Sequence, residues 1–116
     1  MISTHVLDTA HGRPAAGVRV TLQLIAAPGE PDTRGREVAR GATDADGRIR
    51  ELVAPGASLD AGTYSLRFDT AAYFASAGIE AFYPEVSVVF VVRDTTQHYH
   101  VPLLLSPFGY STYRGS

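Results

Sequence analysis

The sequence predicts an all-β fold: a two-sheet β-sandwich of about eight strands with one short helix. Apolar and polar side chains alternate with a period of two in several runs, which is typical of strands that bury one face. Glycine, proline and aspartate cluster between these runs, as expected for turns. Regularly spaced strands separated by turn signals favour a sandwich.

Four runs carry most of this prediction. VRVTLQLIA (18–26) and GTYSLRFDT (62–70) alternate cleanly, and HYHVPLLLS (98–106) does so with two histidines on its polar side. EVSVVFVVRD (85–94) is almost continuously apolar, which predicts a central strand buried on both faces. Proline cannot donate to a sheet ladder, so Pro102 predicts that its strand lies at an edge or is bulged there.

One segment departs from the period of two. TAAYFASAGI (70–79) is rich in helix formers and contains a glycine near its end. We expect a single short helix from Ala71 to Ala77, with Asp69 or Thr70 as its N-cap and Gly78 as its stop.

Length, charge and composition limit the classes of protein to which this chain can belong. The 116 residues suit one domain, residues 1–116. A net charge of -2 and the absence of a basic stripe indicate no nucleic-acid partner. The apolar runs are strand-sized, too short for a membrane helix. The opening MISTHVLDTA lacks the charged and apolar regions of a signal peptide, so we expect a cytoplasmic protein.

The chain has no cysteine, and all ten of its cationic side chains are arginine. A thiolate nucleophile, a cysteine metal site and a lysine Schiff base are therefore excluded. Catalysis would depend on four histidines, the carboxylates and the hydroxyl groups, and only arginine could hold an anion.

A histidine pair is the first candidate for chemistry. His98 and His100 are two residues apart, so in a strand they share a face, opposite the apolar residues expected in the core. His5 lies on another alternating run. Three interpretations remain open: solvated surface histidines, a zinc site that adds His5 as a third ligand, or acid–base catalysis by imidazole.

Other polar residues are less distinctive. In DADGRIR (44–50), Asp46 and Gly47 predict a hairpin turn with Arg48 opening the next strand. His11 lies in a predicted turn, and we expect it at the surface.

Three longer segments carry a resemblance to a known protein family. STHVLDTAHGRPAAGVRVTL (3–22), TDADGRI (43–49) and HYHVPLLLSPFGYSTYRGS (98–116) together resemble the transthyretin family, in particular its enzyme branch, the 5-hydroxyisourate hydrolases. The terminal Tyr-Arg-Gly-Ser is the most specific element, since the hormone-carrying branch has a different tail and lacks the histidine pair.

The resemblance implies a transthyretin-like Greek-key sandwich that assembles as a homotetramer, a dimer of dimers with sites at the subunit interface. It implies hydrolysis of 5-hydroxyisourate to 2-oxo-4-hydroxy-4-carboxy-5-ureidoimidazoline, the step after urate oxidation, without a metal or organic cofactor. A non-catalytic carrier of small ligands on the same fold is the alternative.

The resemblance also implies roles for particular residues. The expected catalytic residues are His5, Arg48, His98, His100 and Ser116. The expected substrate-binding residues are His5, Arg48, Tyr113 and Arg114, with an ion pair that anchors the tail as the alternative for Arg114. We expect His98 or His100 to activate a water molecule that attacks a ring carbonyl, and Arg48 to stabilise the developing oxyanion.

Overall fold

The computed structural model describes residues 1–31 and 35–116, which form nine strands and one helix. In chain order these are β1 (Ile2–Asp8), β2 (Arg13–Pro14), β3 (Arg19–Ala26), β4 (Arg36–Ala42), β5 (Arg48–Val53), β6 (Gly62–Phe68), α1 (Thr70–Ser76), β7 (Val86–Val92), β8 (Tyr99–Ser106) and β9 (Gly109–Thr112). Within these ranges, no helix has the length and apolar character needed to cross a membrane.

The strands form two sheets. The first has the order β2-β1-β8-β9, with β5 also paired to β1, and the second has the order β4-β3-β6-β7. Strands β1 and β8 run parallel, and the other pairs are antiparallel. The predicted all-β two-sheet sandwich is confirmed, and the two-residue β2 accounts for the strand beyond the expected eight.

The core lies between the two sheets and is built from alternate residues of their strands. The largest side chains that are less than 2% exposed include Tyr64, Leu66 and Phe68 of β6, Leu22 of β3 and Leu103 of β8. The period of two in the sequence therefore reflects one buried face per strand.

Helix α1 begins one residue before the predicted start. Asp69 is its N-cap, and the carboxylate accepts a hydrogen bond from the backbone N–H of Ala72 at 3.3 Å. Phe74 is 1% exposed and anchors the helix to the core. Gly78 follows the helix with φ of 70°, a conformation that glycine adopts without a steric penalty.

The prediction of a central strand over residues 85–94 is wrong. Among the described strands, β7 pairs with β6 alone and is the last strand of its sheet. Two of its three exposed side chains are apolar, with Val89 61% and Val91 43% accessible, and the third is Ser87. The continuous apolar run therefore reflects one core face and one apolar surface face.

For Pro102 the sequence predicted a sheet edge or a bulge. The edge is wrong, because β8 lies between β1 and β9, and neither ladder of β8 has the register shift of a bulge at Pro102. The ladder to β9 spans Leu103 to Ser106, and pairing with the tail resumes only at His100 and Gly115. Pro102 lies in this interruption, where a missing N–H donor is tolerated.

Candidate active site

A cleft of about 220 Å³ lies on the outer face of the first sheet. Side chains from both ends of the chain and from β5 line it. Its lining residues are Ser3, Thr4, Arg48, Ile49, Arg50, His98, His100 and Ser116. Four of the expected catalytic residues are therefore in one cleft.

The parallel pairing of β1 with β8 brings the histidine pair to the start of the chain. Ser3 lies directly opposite His100 in this ladder. The Ser3 hydroxyl oxygen lies 2.8 Å from His98 Nε2 and 2.7 Å from His100 Nδ1. As the period of two predicted, the two imidazoles share the face opposite the core.

The surroundings of His100 favour its neutral form. Its partial burial lowers the pKa of the imidazole below the usual histidine value, and the positive charge of Arg48 and the neighbouring His5 and His98 lower it further. An imidazole that stays unprotonated near neutral pH can accept a proton from water.

The DADG segment forms a tight turn, but the predicted hairpin is wrong because β4 and β5 belong to different sheets. The Asp44 carboxylate accepts hydrogen bonds from the backbone N–H groups of Asp46 and Arg48, at 2.8 and 3.0 Å. Gly47 has φ of 74°, and an added Cβ would lie 2.4 Å from the Val6 carbonyl oxygen. The turn thus packs closely on β1, which no other residue type would permit.

Packing of this turn on β1 places Arg48 beside the histidines. Strand β5 pairs with β1 so that Arg48 lies directly opposite His5. Within residues 1–31 and 35–116, Arg48 makes no ion pair. Its guanidinium is therefore available to an anionic ligand.

His5 lies beside the cleft and is not among its lining residues. Its Nε2 is 2.9 Å from the carbonyl oxygen of Asp46. A carbonyl can only accept a hydrogen bond, so Nε2 carries the proton and Nδ1 is unprotonated in the neutral ring. The turn that positions Arg48 therefore also fixes the orientation of His5.

The C-terminal tail folds back onto the histidine pair. The backbone N–H of Gly115 donates to the carbonyl oxygen of His100 at 2.9 Å. A Cβ on Gly115 would lie 2.5 Å from His100 Cδ2, so this approach requires glycine. The pairing carries Ser116 into the cleft lining.

Tyr113 and Arg114 are not brought into this cleft. Both line a second groove of about 330 Å³, together with residues of β7. The guanidinium of Arg114 donates to Gln97 Oε1 at 3.0 Å and lies 4.9 Å above the centroid of the Tyr99 ring. These contacts anchor the tail through a hydrogen bond and a cation–π contact instead of the ion pair considered above.

Three polar lining residues were not singled out from the sequence: Ser3, Thr4 and Arg50. Two of them had a usable signal, since Ser3 is two residues from His5 and Arg50 is two residues from Arg48. In a strand, that spacing places side chains on the same face.

His11 is exposed, as expected, but it has a partner. Its Nδ1 lies 2.7 Å from a carboxylate oxygen of the buried Asp8. The Tyr73 hydroxyl donates to the same carboxylate at 2.7 Å. His11 is thus part of a structural contact outside the cleft.

The grouping of the candidate ligands does not favour the zinc interpretation. In the part of the chain that the structure describes, no group of three or more histidine or acidic side chains is placed to hold a metal ion.

Known proteins resemble the whole chain. The model of the HIUase/Transthyretin family matches residues 2–115. A 5-hydroxyisourate hydrolase of Mus musculus is 47% identical over 115 residues, which cover 99% of this chain and 94% of that protein.

Two solved structures resemble the fold. The 5-hydroxyisourate hydrolase of Klebsiella pneumoniae has a TM-score of 0.79 and 42% identity, covering 99% of this chain and 98% of that one. A transthyretin from Sparus aurata has a TM-score of 0.85 and 34% identity, covering 98% and 95%. Fold similarity therefore does not separate an enzyme from a transthyretin, and the residues of the cleft must do so.

Proposed function

Because the chain belongs to the HIUase/Transthyretin family, we propose that it is a 5-hydroxyisourate hydrolase. The reaction adds water to a ring carbonyl of the six-membered ring and breaks the adjacent C–N bond. The product is 2-oxo-4-hydroxy-4-carboxy-5-ureidoimidazoline. The names of relatives that are 42–47% identical over nearly the whole chain support this assignment.

One observation carries the proposal: the same cleft is lined by His100, whose pKa is lowered, by Arg48 and by Ser116. A base and a cation that line one cleft can act on the same small polar molecule. A simple carrier of small ligands has no need for this combination.

His100 is the residue we assign as general base. Its Nδ1 is occupied by Ser3, so Nε2 is the nitrogen that can take a proton from the attacking water. A positioned base typically contributes about 10²–10⁴-fold to the rate. His98 shares the Ser3 hydroxyl with His100. His5 is held in place by the carbonyl oxygen of Asp46. We assign both histidines a supporting role beside the base.

Arg48 and Arg50 are the residues we assign to charge stabilisation. Attack on the carbonyl places negative charge on its oxygen, and a fixed guanidinium stabilises that charge more in the transition state than in the substrate. Both arginines line the cleft from β5. Ser116, which lines the same cleft, would position the water or the substrate.

The second groove gives Tyr113 and Arg114 a different place in this proposal. Tyr113 is 59% exposed and lines the second groove, which shares His100 with the cleft, so a role in substrate binding would depend on what a neighbouring subunit adds to that groove. The contacts of Arg114 support anchoring of the tail, which keeps Ser116 in place.

Assembly as a homotetramer would complete the site. The cleft lies on an outer sheet face, where water weakens electrostatic interactions. A second subunit packed on that face would exclude water, and symmetry would repeat the site across the interface. Exposed apolar side chains, among them Val89, Phe82 and Phe108, are consistent with surfaces that other subunits cover.

The test is an ultraviolet time course in which urate oxidase generates 5-hydroxyisourate before the purified protein is added. We expect its absorbance to decay faster in proportion to protein concentration, with or without a chelator. Acceleration that disappears with the chelator would support the zinc interpretation instead. No acceleration at micromolar protein would contradict the proposal and leave a carrier.

Replacement of the base tests the assignment within the site. His100→Asn is expected to lower kcat by at least about 100-fold, because no group of suitable pKa remains at that position. His11→Asn makes the same change outside the cleft and is expected to keep kcat. Circular dichroism checks that both variants fold, and a near-normal kcat for His100→Asn would show that another residue is the base.

A further inference from the structure

Ser3 contacts both histidines of the pair through a single atom. Its hydroxyl oxygen lies 2.8 Å from His98 Nε2 and 2.7 Å from His100 Nδ1. The residue is only 6% exposed, so water has little access to either contact. Among the described residues, the hydroxyl has no hydrogen-bond partner besides these two ring nitrogens.

The number of protons restricts this arrangement. A hydroxyl has one proton, so it can donate to only one of two bare nitrogens. When both rings are neutral, the other nitrogen must carry a proton and donate it to the hydroxyl oxygen. The two histidines therefore cannot choose their tautomers independently.

Two arrangements satisfy the contacts, and they differ at the remaining nitrogen of His100. In the first, His100 Nδ1–H donates to Ser3, and Ser3 donates to His98 Nε2. Each ring then carries its proton on Nδ1, and His100 Nε2 is bare. In the second, both directions are reversed, and each ring carries its proton on Nε2.

The charges of the cleft favour the first arrangement. Arg48 and Arg50 line it, and guanidinium groups can donate hydrogen bonds but not accept them. A bare nitrogen on His100 can accept a hydrogen bond from a guanidinium group, whereas an N–H group cannot. In the first arrangement His98 presents its Nδ1–H on an exposed side chain, where water can accept it.

We propose that Ser3 is a positioning residue that holds both histidines in the Nδ1–H tautomer and so keeps His100 Nε2 unprotonated for the attacking water. The kinetic consequence rests on the proposed function, but the tautomers themselves do not. Ser3 acts through His100 and has no direct part in bond breaking.

Nuclear magnetic resonance tests the tautomers without any assay of activity. Long-range ¹H–¹⁵N correlation spectra of protein labelled at histidine nitrogen distinguish Nδ1–H from Nε2–H, at a pH where both rings are neutral. We expect the Nδ1–H pattern for His98 and His100 in the wild type and loss of this shared pattern in Ser3→Ala. An Nε2–H pattern for His100 in the wild type would overturn the proposal.

Kinetics test the consequence. Ser3→Ala is expected to lower kcat by about tenfold or more, the effect of losing one hydrogen bond that orients the base, and to change KM by less than about twofold. Ser3→Thr keeps the hydroxyl and should retain most of the rate. Ser65→Ala is the matched control, since Ser65 is also 6% exposed but lies in β6 of the other sheet.

The two proposals fail in different ways. If Ser3→Ala hydrolyses at the wild-type rate, Ser3 does not position the base, although the protein is a hydrolase. If the wild type does not hydrolyse 5-hydroxyisourate, the proposed function fails, and the spectra still decide the role of Ser3.

Discussion

Gly115 shows how a residue without a side chain shapes the candidate site. The imidazole of His100 is held on one edge by Ser3 and lies against Gly115 on another. The backbone pairing of Gly115 with His100 then places Ser116 in the cleft. Residue 115 must be glycine because the tail lies too close to the His100 ring to leave room for a Cβ.

Gly115→Ala is therefore expected to lower kcat by about tenfold to 100-fold, because a shift of about 1 Å in a positioned group can have an effect of this size. The added Cβ would lie 2.5 Å from His100 Cδ2, so the tail or the ring must move. The melting temperature should change little, because Gly115 lies outside the core. Steady-state kinetics and a thermal melt measure the two effects.

Gly109→Ala is the matched control for this substitution. It lies in the same C-terminal segment, and an added Cβ would meet only Ser106 Oγ at 3.7 Å, an ordinary contact. We expect wild-type kcat for Gly109→Ala. Equal rates for both variants would show that close approach of the tail to His100 is not needed.

At the scale of elements, Asp8 joins the end of β1 to helix α1. Its side chain is fully buried and accepts hydrogen bonds from the Tyr73 hydroxyl at 2.7 Å and from the His11 backbone at 3.0 Å. Burial acts to raise the pKa of this carboxyl, but the hydrogen bonds of Tyr73 and His11 and the charge of His11 hold the pKa below its ordinary value.

The sign of this shift decides the pH dependence. A carboxyl whose pKa is lower in the folded chain than in the unfolded chain stabilises the fold above its unfolded pKa, about 3.9 for aspartate. That contribution is lost as the pH falls through the folded pKa.

Asp8→Asn is expected to lower the free energy of unfolding at pH 7 by about 1–3 kcal/mol, because buried donors lose part of their acceptor. Below about pH 4 the difference between the variant and the wild type should narrow, because Asp8 of the wild type becomes protonated first in the unfolded chain and, at lower pH, in the folded chain. Urea unfolding at several pH values measures both effects.

Asp60→Asn is the control, because Asp60 is exposed, and a change within about 0.5 kcal/mol is expected. A difference between Asp8→Asn and the wild type that does not vary with pH would show that the charge of Asp8 is unimportant to the fold.

At the scale of the whole molecule, the two sheets end in strands that present apolar surface. Strand β7 is the last strand of one sheet and β9 of the other. The Tyr83 ring makes edge-to-face contacts with Phe82 and Tyr110, with centroid distances of 5.0 Å and 5.4 Å respectively. Phe82 is 71% exposed. Edge strands of this kind favour pairing with another chain.

Sedimentation of the purified protein is expected to give a mass about four times the 12.4 kDa of one chain. Val89→Glu should lower that mass, because it places a charge on the apolar outer face of β7, where an interface would bury it. Ala42→Glu, an exposed position of β4 at the opposite edge of the sheet, should leave it unchanged. A wild-type mass of 12.4 kDa would contradict the tetramer.

Much of the secondary structure could be predicted from local pattern. The period of two located the main strands, and the composition of residues 70–79 located α1 to within one residue. The wrong predictions concern which strands lie next to one another, which the local sequence pattern does not specify. A continuous apolar run does not distinguish a central strand from an edge strand with an apolar outer face, as β7 shows. Likewise, Asp-Gly predicts a turn but not which sheets the turn connects.

By itself, the sequence determined the alternation of the strands, the chemical groups available for catalysis and the shared face of His98 and His100, because these depend on residue type and short spacing. Only the tertiary structure decided that Ser3 lies opposite His100, that Arg48 lies opposite His5, and that Gly115 lies against the His100 ring. Two of these contacts join residues more than 40 positions apart, and the third depends on the tail reversing direction through β9. Strand pairing fixes all three, and its register follows from packing of the whole sandwich, which no local stretch of sequence contains.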